Sequence, residues 1–118
     1  MNYRVEILMK LPSLNEYINA CRTNRYAAAN MKKNTENEIA LYINKLPQFK
    51  NKVKIKFTWI ESNKKRDFDN ICASKKFILD ALVKCGKMPN DNRNYVSGFT
   101  DEFDYGKENK VILEIEEI

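Results

Sequence analysis

The sequence predicts an α+β fold: a single small domain in which a mixed sheet of about four strands packs against two main helices. Residues 3–9, 52–59 and 111–115 alternate apolar and polar side chains, the period of a half-buried strand. Residues 39–46 and 71–85 instead repeat their apolar side chains at helical spacing. At 118 residues the chain is the length of one domain, residues 1–118, with room for one sheet and a few helices.

In chain order, Tyr3, Val5, Ile7 and Met9 form the apolar side of the first strand. Leu11-Pro12-Ser13 ends it, and Ser13-Leu14-Asn15-Glu16 has the S-x-x-E form of a capping box, so a short helix follows. Residues 19–33 are polar and basic and read as a loop leading into a long helix, from Tyr26 or Asn30 to Leu46. Ala27, Ala28 and Ala29 favour helix, and Pro47 stops it. Val53, Ile55, Phe57 and Trp59 then alternate with Lys52, Lys54, Lys56 and Thr58, the clearest strand in the chain. Its three lysines, about 7 Å apart, either match a phosphate backbone or protect a sheet edge from pairing. A helix from about Asn70 to Lys84 has Ile71, Ile78, Leu82 and Cys85 on one side, with Gly86 as its stop signal. Asp69, Ala73, Lys76, Asp80 and Lys84 form the opposite stripe. Residues 88–92 are a turn, 95–99 a short strand, 101–109 an acidic loop, and Val111, Leu113 and Ile115 mark the final strand.

Composition excludes several kinds of chemistry. With no histidine, Ser-His-Asp and Cys-His catalysis and imidazole zinc sites are ruled out. Cys21, Cys72 and Cys85 form no C-x-x-C pair, so reduced thiols in a cytosol are the simplest reading. No apolar run approaches the roughly 18 residues that would span a bilayer, and no basic amphipathic helix points to a membrane surface. Residues 101–118 hold seven acids against two lysines, net −5, so the first hundred residues carry +10 of the overall +5. A positive body of this kind favours a nucleic-acid partner. Arg22, Arg25, Lys32, Lys33, Lys64, Lys65 and Arg66 are the candidate phosphate contacts; the alternative is that they are solvated surface.

Between a strand and a helix lies Lys64-Lys65-Arg66-Asp67-Phe68-Asp69-Asn70. In an extended segment Asp67 and Asp69 point to the same face. Their repulsion is relieved by the flanking cations or by a divalent ion such as Mg²⁺, which one or two carboxylates plus substrate phosphates commonly hold. The two readings are a Mg²⁺ site for phosphodiester cleavage and a charged turn with Asp69 or Asn70 as N-cap.

Leu11-Pro12-Ser13-Leu14-Asn15-Glu16-Tyr17, Arg66-Asp67-Phe68-Asp69-Asn70, Lys76, Leu79-Asp80-Ala81-Leu82, Gly86 and Asp91 together resemble the RusA family of Holliday-junction resolvases. The likeness implies a homodimeric, Mg²⁺-dependent endonuclease that resolves four-way DNA junctions in the cytoplasm of a bacterial or phage-infected cell. It implies one or two Mg²⁺ per subunit, with Mn²⁺ as a substitute, held by Asp67, Asp69 and Asp91. It also implies that Lys76 is the catalytic lysine and that Asp80 is the acid on the helix. Two features depart from the family pattern. Lys76 lies three residues further from Asn70 than in the D-N-x-x-K form, about 4.5 Å along a helix. Either the helix starts later, after a loop through Ile71-Cys72-Ala73, or Lys75 or Lys76 reaches the site differently. Asn90 stands where many relatives carry a further acid.

The residue list suits the chemistry, because carboxylate-held metal and a lysine can stabilise a phosphoryl transition state without histidine. A two-fold dimer matches the two symmetric nicks that a junction requires. Competing readings are an inactive junction- or DNA-binding protein of the same fold and a nuclease acting on other branched nucleic acids.

Overall fold

The computed structural model describes every residue from Met1 to Ile118. Strand β1 (Asn2–Ile7) leads to helices α1 (Leu14–Thr23) and α2 (Arg25–Ile43), then to strand β2 (Val53–Glu61). Helices α3 (Phe68–Cys72) and α4 (Lys75–Lys84) follow, and strands β3 (Val96–Tyr105) and β4 (Lys110–Glu117) complete the chain. The sheet order is β1-β4-β2-β3. β4 runs antiparallel to both β1 and β2, and β2 and β3 run parallel, so the sheet is mixed and the fold is α+β. α1 is the short helix expected after the capping box and α2 the first main helix, while the second main helix is divided into α3 and α4.

Alternation builds the core. Val53, Ile55, Phe57 and Trp59 on β2 and Val111, Leu113 and Ile115 on β4 turn one sheet face inward, and all are at most 3% exposed. Ile39 and Ile43 of α2 and Ile78 and Leu82 of α4 cover that face with no exposure. Each such aliphatic side chain contributes about 1.5–3 kcal/mol by leaving water. The 22 buried apolar residues form one cluster, which defines one domain. No helix is long and apolar enough to cross a membrane.

The lysine row of β2 lies in the sheet interior, so edge protection does not explain it. On the open face Lys54 stands opposite Glu116 and Lys56 opposite Glu114 on β4, and Lys56 Nζ reaches Glu102 of β3 at 3.3 Å. Opposite charges across strands stabilise the sheet. They also cancel most of the positive row that a phosphate backbone would have read.

Four expectations are corrected. The basic stretch from Asn19 is helical: α1 runs to Thr23, and Asn24 caps α2 by accepting from the Ala27 N–H at 2.8 Å. The charged side chains there are solvated helix faces, and α2 ends at Ile43 rather than Leu46. The acidic segment expected as a loop is mostly strand, because β3 extends to Tyr105. As an edge strand it sends Glu102 and Asp104 to solvent while Phe99, Asp101 and Phe103 take the opposite side. The helix expected over 70–84 is two helices. α3 closes with the Ser74 N–H donating to the Ile71 carbonyl at 3.2 Å, and α4 begins at Lys75. The Ser74 hydroxyl donates to the Pro12 carbonyl, which fixes the break against the first connection. Finally, the N-cap position of α3 is Asp67, not Asp69 or Asn70, and its side chain makes no capping bond.

Candidate active site

The segment from Glu61 to Ser74 is tied to the segment from Leu11 to Asn15 at several points. Arg66 Nε and Nη2 donate to the two carboxylate oxygens of Glu61, each at 2.7 Å, and Nη1 donates to the Leu11 carbonyl at 3.0 Å. This bidentate pair is almost closed from water, with side chains 13% and 9% exposed. The Asn70 side-chain oxygen accepts from the Asn15 N–H at 3.2 Å. The Ser13 hydroxyl and the Glu16 carboxylate complete the capping box that starts α1, as the sequence pattern predicted. Within Arg66-Asp67-Phe68-Asp69-Asn70, the outer two residues are therefore used to hold the backbone. Asp67 and Asp69 are exposed and have neither a hydrogen-bonding side-chain partner nor a salt bridge.

A cleft of about 350 Å³ opens beside this junction. Pro12, Ser13 and Tyr17 form one wall, Lys32 of α2 another, and Ala73, Lys76 and Asp80 of the α3–α4 turn and α4 a third. An alternating ion chain crosses it. Glu36 Oε2 lies 3.9 Å from Lys32 Nζ, which is 3.1 Å from Asp80 Oδ2. Asp80 Oδ1 is 2.9 Å from Lys76 Nζ, which is 2.7 Å from Asp91 Oδ2. Glu36 Oε2 is buried and accepts no hydrogen bond.

The contacts fix the charge of Asp80, Lys76 and Lys32. Burial pushes the Asp80 carboxyl up, but hydrogen bonds from Lys76 and Lys32 outweigh it and hold the group below the usual carboxylate range. The hydrogen bonds to Asp91 and then Asp80 raise Lys76, and the hydrogen bond to Asp80 raises Lys32. Lys76 is thus a fixed cation and not a proton acceptor at neutral pH. It is also the most exposed member, at 66%, and so the one a phosphate can reach.

These shifts give a stability prediction. The depressed Asp80 contributes stability above the ordinary carboxylate pKa, about 4, which is lost as pH falls through its lower folded value. The raised lysines contribute below about pH 10.4, and that share is lost as pH rises through their folded values. Urea denaturation of wild type and Asp80→Asn should show a constant stability difference between about pH 5 and 8 that narrows below about pH 4. A difference that stays constant down to pH 2 would contradict the ion chain.

The structure brings Lys76, Asp80 and Asp91 into direct contact. It does not gather Asp67, Asp69 and Asp91 into a group of three acids able to hold a metal ion. Asp91 is engaged by Lys76, whereas Asp67 and Asp69 keep free oxygens of the hard type that Mg²⁺ prefers. Which of the two lysines faces the cleft follows from α4 starting at Lys75. Neighbours on a helix point about 100° apart. Lys76 lines the cleft, while Lys75 reaches Asp101 Oδ2 at 2.6 Å on the β3 side.

Among the expected phosphate contacts, Arg66 and Lys32 are taken up by Glu61 and Asp80. Arg25 lies over the ring of Tyr26. Lys64 lies over the ring of Tyr105. Arg22, Lys33 and Lys65 are exposed without a carboxylate partner. Sequence reasoning missed Glu61, and it named Tyr17 only as part of the Leu11–Tyr17 element, without a place in the cleft. Glu61 was visible in principle, since it is the one acid on the inward parity of β2. No protein-family model matches the chain, and no curated protein does.

Proposed function

We propose that the protein is a Mg²⁺-dependent, structure-selective endodeoxyribonuclease that resolves four-way DNA junctions by paired symmetric nicks, acting as a homodimer on branched DNA in the cytoplasm. The observation that carries this reading is the division of labour in Arg66-Asp67-Phe68-Asp69-Asn70. Its Arg and Asn are bonded internally, and its two carboxylates are left free on a backbone that the internal bonds hold in place.

Asp67 and Asp69 would hold the ion, which when bound supplies an activated water and neutralises charge on the phosphoryl group. Lys76 adds a fixed positive charge on the cleft side, suited to the negative charge that builds on the phosphate. Asp80 and Asp91 keep that lysine protonated and directed. The unpaired cations Arg22, Lys33 and Lys65 can neutralise backbone phosphates, which makes binding steeply dependent on salt. The three free cysteines accord with a reducing compartment.

A cleavage assay on a synthetic four-way junction and a linear duplex of the same sequence, in Mg²⁺ and in EDTA, tests the proposal. Metal-dependent symmetric nicks in the junction, at least about tenfold favoured over duplex, are expected (a difference of about 1.4 kcal/mol). Equal cutting of both substrates would remove the junction selectivity. One observation favours a second reading: Asp91 is bonded to Lys76 rather than gathered with Asp67 and Asp69. On that reading the protein is an inactive junction binder, and it would bind tightly but release no product in Mg²⁺ or Mn²⁺.

A further inference from the structure

The helix-side stripe of β3 carries Phe99, Asp101, Phe103 and Tyr105, and Phe99 and Tyr105 are 42% and 46% exposed. Phe68 of α3 lies flat on Phe103, with ring centroids 4.1 Å apart and planes 14° from parallel. Although one face is covered, Phe68 remains 54% exposed, so its other face is open to solvent. Burial alone does not account for a ring left in this state.

The charges around this stripe are arranged for a polyanion. Its one carboxylate, Asp101, is neutralised by Lys75 and also accepts from Trp59 Nε1 at 2.9 Å. Glu102 and Asp104 point to the other sheet face. Lys64 Nζ stands 5.0 Å from the Tyr105 ring centre, and Lys65, the next residue in the chain, is exposed without a carboxylate partner. Phe68 sits between Asp67 and Asp69 in the chain, the two residues with free carboxylates.

We propose that the Phe68–Phe103 stack, with Tyr105 and Lys64 at its end, is a platform for one unpaired nucleic-acid base. The base stacks on the open face of Phe68, and its flanking phosphates meet the lysines. Such stacking tolerates any sequence because every base has a π-face. A fully paired duplex presents no such base, whereas a branch point can. The platform's role in placing a phosphate at Asp67 and Asp69 rests on the nuclease reading; base binding itself does not.

Binding of a fluorescent oligodeoxythymidine and of a fully paired duplex to the intact protein in EDTA tests this. Phe68→Leu should weaken oligodeoxythymidine binding roughly 5- to 100-fold with an unchanged salt slope, since no cation is removed. Phe68→Trp should retain it, which separates lost stacking from misfolding, and duplex binding should be unchanged in both variants. Wild-type affinity in Phe68→Leu, an equal loss on duplex, or no oligodeoxythymidine binding by the wild type would each overturn the platform. Because the binding is read without metal, failure of junction cleavage and failure of stacking are separate results.

Discussion

Asp69→Asn should lose metal-dependent junction cleavage by about 10²- to 10⁴-fold, the equivalent of several kcal/mol of transition-state stabilisation, while still binding the junction. Asp69 is exposed and has no partner in the fold, so its replacement removes no internal contact. Stability should therefore stay within about 0.5 kcal/mol of wild type. Binding should be equal or slightly tighter, because one repulsive charge near the phosphates is gone. Cleavage kinetics, a gel-shift titration and a thermal melt on the same preparation check the three parts together. Wild-type cleavage by the variant would remove Asp67 and Asp69 from the proposed site.

Arg66→Ala should destabilise the fold by about 3 kcal/mol, lowering Tm by about 10–15 °C for a domain of this size. The substitution strands Glu61, whose side chain is 9% exposed, with no counter-charge, and also releases the Leu11 carbonyl. Replacing both partners by apolar residues, Glu61→Leu with Arg66→Met, should recover most of the loss. The cost comes from an unpaired buried charge rather than from the pair's absence. Differential scanning calorimetry of the three proteins reads this directly. A single variant that melts within about 3 °C of wild type would show that the tie is dispensable. The contrast with Asp69 is the useful part, since neighbouring motif residues should affect opposite properties, stability for Arg66 and activity for Asp69.

What the sequence made legible divides along local and distant causes. The parity of β2 and β4 is a local property, and both strands and their buried faces follow from it. The capping box at Ser13 is local too, and it forms as the pattern requires. The break between α3 and α4 was legible only as an alternative, through the spacing before Lys76, because Ile71, Ile78 and Leu82 keep a helical period straight across it. Its anchor is a hydroxyl that bonds a carbonyl 62 residues earlier in the chain. β3 was cut short because Asp101, Glu102 and Asp104 look like solvated loop. Only the structure supplies Lys75 for Asp101 and an edge position for the other two. At the candidate site, the Lys76–Asp80 pair followed from i,i+4 spacing. The contact of Lys76 with Asp91 spans a turn whose path the residues alone do not dictate, and the partner of Arg66 was overlooked although parity pointed to it.

The last strand in chain order is not at the rim of the sheet. β4 lies between β1 and β2 and pairs with both along most of its length. Until it is synthesised, β1 has no strand to pair with, and the β2–β3 ribbon shows an unpaired inner edge. A nascent chain can form its helices early, but it cannot assemble the sheet, and so cannot fix Glu61 and Arg66 against the Leu11 carbonyl, before residue 110 has emerged. Pairing residues 2–7 with 111–116 closes almost the whole chain into one loop, the kind of distant contact that slows folding. The site thus comes into being only as a late, all-at-once event, and a half-made chain carries the acids of the motif without the frame that gives them a geometry.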